Sequence, residues 1–505
     1  MHATTVPPVE RPSRAYAWYA LGLLTVINLL NYLDRNVIFA LFEPIKADLA
    51  LTDAQLGWLG SAYVLVFSVA ALPFGVMSDL RSRRAVIAFG VALWSLFTVL
   101  SGLVESYSQL FICRAAVGIG EAAFGAAAAS LVADYYAKRG RAVAMGILSA
   151  GLVVGGGLGI WLGGVLGDAY GWRVAFMAVG APGFVCALLA ARLKDPTRAL
   201  APVVVRPHLR QMRDQGLSLL RQFLPTVAGL VLGGLVAAIL DFRYGADSRI
   251  DVASFSIVAL IGLAINILQW VRQIRAKQID ETPFGGGMTP AFEEMLGAAR
   301  RVLRTPTLVF IFLGGALISF GMNGLVGWAP TFVSRELGIS SAAASDLLGW
   351  RLLVFGALGT LAGGFLADGL RARTEAGRII AIALGMTVGG ILAFWLLTLR
   401  DASMFKPVFA AAVFFLTFYN GPIAAAIFDV VPARIGATVI GTYLLFIHLV
   451  GDAVALPLVG ALSDRFGLDH AILILPAAGI LGGVIVAFAM RTVRADMQRV
   501  ESREP

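Results

Sequence analysis

Gly75-Val-Met-Ser-Asp79, Gly164-Val-Leu-Gly-Asp168, Gly364-Phe-Leu-Ala-Asp368 and Gly460-Ala-Leu-Ser-Asp464 are four versions of one phrase. In each, a glycine and an aspartate stand about one helical turn apart. Each copy closes an apolar run long enough to cross a bilayer, and the phrase returns at every third core run. That interval predicts three-span units, and alternate copies ending on opposite sides predict that successive units are inverted. A second correspondence joins the two halves directly. Asp134, Arg139 and Gly146 match Asp429, Arg434 and Gly441 at the same spacings.

The composition fits this reading. Of 505 residues, 58% are hydrophobic and 14% charged, and the mean hydropathy of +0.82 is that of a polytopic membrane protein. With about 20 apolar residues per crossing, spans are predicted near 16–42, 54–78, 84–104, 107–134, 141–168 and 172–192. Six more lie near 307–333, 344–368, 378–399, 405–430, 434–461 and 469–491, and two extra helices are expected at about 220–241 and 252–272. The expected domains are a six-helix bundle over 1–198, a linker over 199–304 that carries the extra pair, and a second six-helix bundle over 305–505. The fold class is therefore all-α, with two pseudo-symmetric bundles of inverted three-helix repeats.

Lys and Arg fix the expected orientation. With the N-terminus inside, 29 of the 40 fall on inner segments and eight on outer loops, and Arg35, Arg114 and Arg351 lie within spans. This bias places both termini in the cytoplasm of a cell membrane of the bacterial inner-membrane type. The formal net charge of +9 is accounted for by those loops and by anionic lipid, so no nucleic-acid partner is expected. The first apolar run is too long for a signal-peptide core and is expected to be retained. Cys113 and Cys186 both fall inside spans, and no disulfide is expected.

Several activities are excluded by pattern. None of the five lysines follows a glycine, so no phosphate-cradling Gly-Lys-Ser/Thr loop exists. The histidines (His2, His208, His448, His470) are scattered, with no His-x-x-x-His or paired-cysteine spacing, so neither an enzyme nor a metal site is expected. Buried polar residues are too sparse for a continuous channel lining. No cofactor is implied.

What remains is a handful of ionisable residues at bilayer depth, where they are costly and usually functional. Asn31-Tyr32-Leu33-Asp34-Arg35 sits inside the first span, and Arg114 precedes Glu121 by two helical turns within the fourth. Asp34 and Glu121 are the candidate proton carriers. The alternative for Asp34 is a fixed ion pair with a base on a neighbouring helix; Arg35, adjacent in sequence, points to another face. Glu121 is expected to pair with Arg114 on its own helix face or with an Arg from another span. Arg114 either holds an anionic head group or neutralises Glu121. In the second half, His448 and Asp452 stand four apart, and Asp452 is expected to partner Arg351. Asn323, Trp328, Tyr419 and Asn420 are the candidate cavity residues there. The charges cluster in the first half, and this asymmetry suits an amphipathic substrate whose apolar tail lies against the second.

Two six-span halves of inverted triplets joined by a charged connection resemble the major facilitator superfamily. Gly75-Val-Met-Ser-Asp79-Leu-Arg81-Ser-Arg83-Arg84 resembles its loop signature between spans two and three, departing at Leu80 and Ser82, where Arg and Gly are usual. The resemblance implies a cytoplasmic clasp, weakened here, with conformational gating by Asp79, Arg81, Arg83, Arg84, Asp134 and Arg139. Within the superfamily, the Asn31–Arg35 string with Arg114-Ala-Ala-Val-Gly118-Ile-Gly120-Glu121-Ala122 resembles the Spinster family, whose members move lysophospholipids and sphingoid lipids. The glycines at 146, 155, 159, 163 and 164 resemble the superfamily's antiporter motif with Ile160 in place of proline; small residues that let helices approach closely explain them equally well. These resemblances imply a monomeric, proton-coupled, alternating-access carrier of a lipid-like anion, with Arg35 and Arg114 at the substrate. The Asn-Tyr-x-Asp-Arg string also occurs in symporters of organic and sugar acids, which is the alternative.

Overall fold

The computed structural model describes residues 12–80, 82–136, 138–195, 297–432 and 435–502, with isolated positions between 224 and 272. Among the described residues, twelve helices are long and apolar enough to cross a membrane. In chain order they are α1 (Arg14–Ala40), α2 (Asp53–Leu80), α3 (Arg83–Ser101), α4 (Tyr107–Tyr135), α5 (Lys138–Tyr170) and α6 (Trp172–Ala191). The second six are α7 (Pro306–Leu337), α8 (Ser341–Arg371), α9 (Gly377–Leu396), α10 (Ala402–Asp429), α11 (Gly436–Phe466) and α12 (Leu468–Arg491). A final helix, α13 (Val493–Glu501), follows. The expected all-α membrane fold is what forms.

Local sequence explains the helix ends. Ser13 and Ser106 cap α1 and α4 by accepting from Tyr16 N and Gln109 N, and Asp401 caps α10 through Ser403 N and Met404 N. Gly171 and Gly467, both at φ 85°, occupy equivalent tight turns before α6 and α12, where a side chain would be strained. Two core helices are interrupted. α10 breaks between Leu416 and Asn420, and α11 carries a π-helical turn at His448–Asp452.

The chain falls into two compact units, 1–49 with 62–208 and 329–354, and 50–61 with 209–328 and 355–505. In the first, α1 packs along α5, and α3 packs between α4 and α6. The α1–α5 seam uses three members of the glycine series: a Cβ at Gly155, Gly159 or Gly163 would press on the carbonyl of Leu29, Leu33 or Val37, whereas Gly146 has nothing within 4 Å and Gly164 faces Ser345 of α8. In the second unit, α9 packs against α10 and α12 as its counterpart α3 does in the first. Apolar side chains such as Ile112, Leu188 and Phe365 stay exposed on the helix surfaces, as lipid rather than water would face them.

The expected extra spans at 220–241 and 252–272 lie largely outside the described residues. Within them, Thr226 donates to Asn266 Oδ1 from both its backbone N–H (3.0 Å) and its hydroxyl (2.8 Å).

Candidate functional site

α1 and α4 bring the first-half charges together in a crossed arrangement. Arg114, on α4, donates from Nη1 to Asp34 Oδ1 at 3.0 Å and from Nη2 to the Asp34 carbonyl at 3.3 Å. Thr98 of α3 donates its hydroxyl to Asp34 Oδ2 at 2.5 Å. Arg35 donates from Nε to Glu121 Oε2, also at 2.5 Å. Adjacent residues on a helix diverge by about 100°, and Arg114 and Glu121 are separated by about 10 Å of helical rise, so Asp34 and Arg35 reach different levels of α4. The same-helix partnership of Arg114 with Glu121 does not form; the arginine from another span supplies the partner. Arg114 neutralises Asp34 instead, and its side chain is 0% exposed.

The glycines of Gly118-Ile-Gly120-Glu121 make this possible. A Cβ at Gly118 would meet Phe67 N at 2.9 Å and the Tyr63 carbonyl, and one at Gly120 would meet Trp94 N at 2.7 Å. Gly118 therefore admits α2 and Gly120 admits α3, while Glu121 turns toward α1. The approach of α2 places Phe67 4.7 Å and Tyr63 5.4 Å from the Arg35 guanidinium, with Tyr32 of α1 at 4.7 Å. Rings in this range attract a cation.

The two pairs differ in what they leave unmet. Asp34 has both oxygens satisfied. Glu121 is fully buried, with Oε1 lacking any hydrogen-bond partner, and Asn31 Nδ2 and Arg114 Nε are buried and unpartnered too. A buried carboxylate oxygen without a donor is costly. Arg35 retains 12% side-chain exposure, and its two Nη groups make no hydrogen bond among the described residues. Those donors have the fork geometry that suits carboxylate or phosphate.

In the second half, α7 and α11 meet around Asp452. Ser319 donates to its Oδ1, His448 Nδ1 lies 2.5 Å from its Oδ2, and Asn323 Nδ2 donates to its carbonyl at 3.2 Å. Arg351 is elsewhere engaged, donating to the Leu347 carbonyl of its own helix at 2.7 Å, so the expected Arg351–Asp452 pair gives way to Ser319 and His448. Trp328 is 0% exposed and donates its indole N–H to the Leu456 carbonyl at 3.3 Å, packing α7 on α11. Tyr419 is half-buried against the core, and exposed Asn420 donates to Thr360 Oγ1 at 3.0 Å.

Of the basic residues of the loop signature, Arg83 turns inward and Arg84 stays exposed. Arg83 pairs with Asp134 and Asp195, each at 2.7 Å, and donates to Ser130 at 3.0 Å, while Arg84 donates to the Leu193 carbonyl at 3.2 Å. The corresponding Asp429 is held by Arg378 and, at 3.7 Å, by Arg371. The side chains of Asp79, Arg81 and Arg139 lie outside the described ones. Thr98, Tyr63, Phe67 and Asp195 are the participants that pattern did not single out, and Ser319 stood out only as a polar residue of its span. A hydroxyl or ring in an apolar span carries no mark that distinguishes it from packing.

Buried, crossed ion pairs within twelve apolar helices define a membrane carrier. The chain belongs to the Major Facilitator Superfamily, whose model matches residues 24–451, and it is a transporter rather than an enzyme. It is 26% identical over 487 residues to an MFS-type efflux pump of Mycolicibacterium smegmatis, covering 94% of this chain and 93% of that protein. It is also 22% identical to the sphingosine-1-phosphate transporter SPNS2 of Xenopus tropicalis over 98% of this chain and 87% of that one. A solved bacterial homologue of the human lysosomal transporter Spinster shares the fold with a TM-score of 0.71 and 22% identity, over 96% of this chain and 99% of its own.

Proposed function

We propose that this transporter exchanges protons for an amphipathic lipid whose head group carries both a phosphate and an amine. The observation that carries the reading is the Arg35–Glu121 pair, buried yet incompletely satisfied on both sides. A zwitterionic head group opens such a pair without leaving either charge alone: its phosphate takes the Arg35 fork, and its ammonium takes the Glu121 carboxylate. Protonating Glu121 removes the acceptor that the ammonium needs. Proton and substrate then exclude one another, which is the binding logic of antiport. Asp34, locked by Arg114 and Thr98, holds α1 against α4 and is the second candidate proton site. Asn323, His448 and Asp452 face the lipid from the second half. The similarity to SPNS2 supports this substrate class, and the charge bias of the loops supports both termini in the cytoplasm; the carrier is taken to act as a monomer in the cell membrane.

The alternative, a sugar-acid symporter, makes the opposite demand. A substrate with a carboxylate and no amine competes with Glu121 for Arg35, so it binds best when Glu121 is protonated, and the two move together. Proteoliposomes with an imposed pH gradient separate the readings. Fluorescent lysophosphatidylethanolamine moving against the proton gradient, with labelled hexuronate not transported, supports the exchanger; hexuronate accumulating with the protons overturns it.

A further inference from the structure

The Arg35–Glu121 contact leaves an acceptor over and, close beside it, a donor. Glu121 Oε1 and Asn31 Nδ2 are both buried without a hydrogen-bond partner, on residues that are 1% and 2% exposed. At about 100° per residue, Asn31 stands on the α1 wheel between Asp34 and Arg35, one turn nearer the helix N-terminus. α5 covers the other side of α1, where it packs on the carbonyls of Leu29, Leu33 and Val37, so Asn31 shares the face of the two charges. A long side chain on a helix leans back over the turn that precedes it. Arg35 therefore reaches Glu121 across the turn that carries Asn31, which brings the unmet donor and the unmet acceptor to one contact.

The two leftover atoms are complementary. A side-chain amide donates to a carboxylate and brings no charge that would compete with Arg35. In this structure the guanidinium already serves Oε2, and the buried amide is a cost without a return. That changes once the guanidinium turns away. Glu121 then faces Asp34 as a like charge, and Arg114 is already committed to that aspartate. The Tyr32 and Tyr63 rings lie against Arg35, and α3 brings the Thr98 hydroxyl, which is spent on Asp34. Asn31 Nδ2 is a donor that none of these groups uses.

We infer that Asn31 is a positioning residue: when a ligand's phosphate draws the Arg35 guanidinium off Glu121, the Asn31 amide rotates to donate to the freed carboxylate and keeps it ionised for the ligand's amine. Only hydrogen bonds change hands in this step, and no proton moves. The identity of the ligand rests on the zwitterionic-lipid reading above; the behaviour of the amide does not, since it follows whenever the guanidinium is removed.

Infrared difference titration of the full chain in liposomes reads the carboxyl band that is lost in Glu121→Gln. Without lipid, Asn31→Leu should titrate with the parent, because Arg35 holds the carboxylate. With saturating lysophosphatidylethanolamine it should titrate about one pH unit above the parent, since the amide donates only to the charged form and one such hydrogen bond is worth about tenfold in proton affinity. Asn31→Gln, which carries the same amide, should return toward the parent. Thermal unfolding without lipid separates this role from packing: Asn31→Leu removes an unmet buried donor at similar volume, so the unfolding temperature should hold or rise. Asn31→Ala carries the same titration outcome if leucine is not accommodated. In an Arg35→Leu background no lipid is needed, and adding Asn31→Leu should produce the same one-unit shift. That arm keeps its meaning if the parent does not exchange protons for lipid, so failure of the exchange and failure of the inference are told apart. A midpoint that Asn31→Leu leaves unmoved in the Arg35→Leu background, or moves equally in the lipid-free parent, would overturn the inference.

Discussion

Arg114→Leu should be among the most destabilising single substitutions in the chain, and Asp34→Leu should rescue it. Asp34 and Arg114 are 2% and 0% exposed, and three hydrogen bonds tie Asp34 to Arg114 and Thr98. Removing the guanidinium leaves a buried carboxylate with one hydroxyl donor, a change that costs about 3–5 kcal/mol in comparable sites. For a cooperative unit of about 150–250 residues, the scale of the compact unit that holds this pair, each kcal/mol moves the midpoint by about 2–4 °C. A loss of about 4 kcal/mol therefore lowers the unfolding temperature by about 8–16 °C. Replacing both partners with leucine removes the stranded charge, and the double variant should recover to within about 1–2 kcal/mol of the parent. The assay is thermal unfolding of the purified protein in detergent, as a double-mutant cycle. Additive losses in the double variant would refute the energetic coupling of Asp34 to Arg114.

The aromatic cage and its supporting glycine make separate predictions. Phe67→Leu removes one ring from Arg35, an interaction worth about 0.5–1 kcal/mol, and should raise the transport KM about two- to fivefold while leaving the unfolding temperature nearly unchanged. Gly118→Ala drives a methyl group into the α2 backbone at Phe67; the overpacking should cost about 1–3 kcal/mol and raise KM as well, measured by thermal unfolding and lipid uptake. Arg83→Gln breaks contacts to Asp134 and Asp195 and should destabilise by about 2–4 kcal/mol, whereas Arg84→Gln, which loses one carbonyl contact, should cost under about 1.5 kcal/mol.

Much of this architecture is legible in the amino-acid sequence because membrane helices must be long, apolar and internally hydrogen-bonded. The Gly-x-x-x-Asp repeat marks the helix ends, and the depth of Asp34, Arg35, Arg114 and Glu121 marks them as costly. Their pairing is a different matter. Arg114 and Glu121 share a face of one helix, which makes them look like partners, but the contacts of α1 with α4 set the actual pairs, and no one-dimensional spacing encodes an interhelical register. Arg351 fails as a partner of Asp452 for the same reason: Ser319 and His448 are nearer in space, and a serine in an apolar run is silent. Trp328 illustrates the limit for neutral residues. An amphipathic ring in a span reads equally well as cavity wall or as core, and here the buried indole packs against Leu456.

The most direct test of the account is proton movement driven by lipid in liposomes that carry a trapped pH indicator. With the native chain, an outward gradient of lysophosphatidylethanolamine should acidify the lumen as protons enter in exchange, and Glu121→Gln, which neither releases a proton nor offers the ammonium a carboxylate, should abolish the pH change and slow lipid exchange with it. Acidification that persists at full rate in Glu121→Gln, or a pH change of the opposite sign in the native chain, would contradict the claim that proton and lipid compete for one carboxylate.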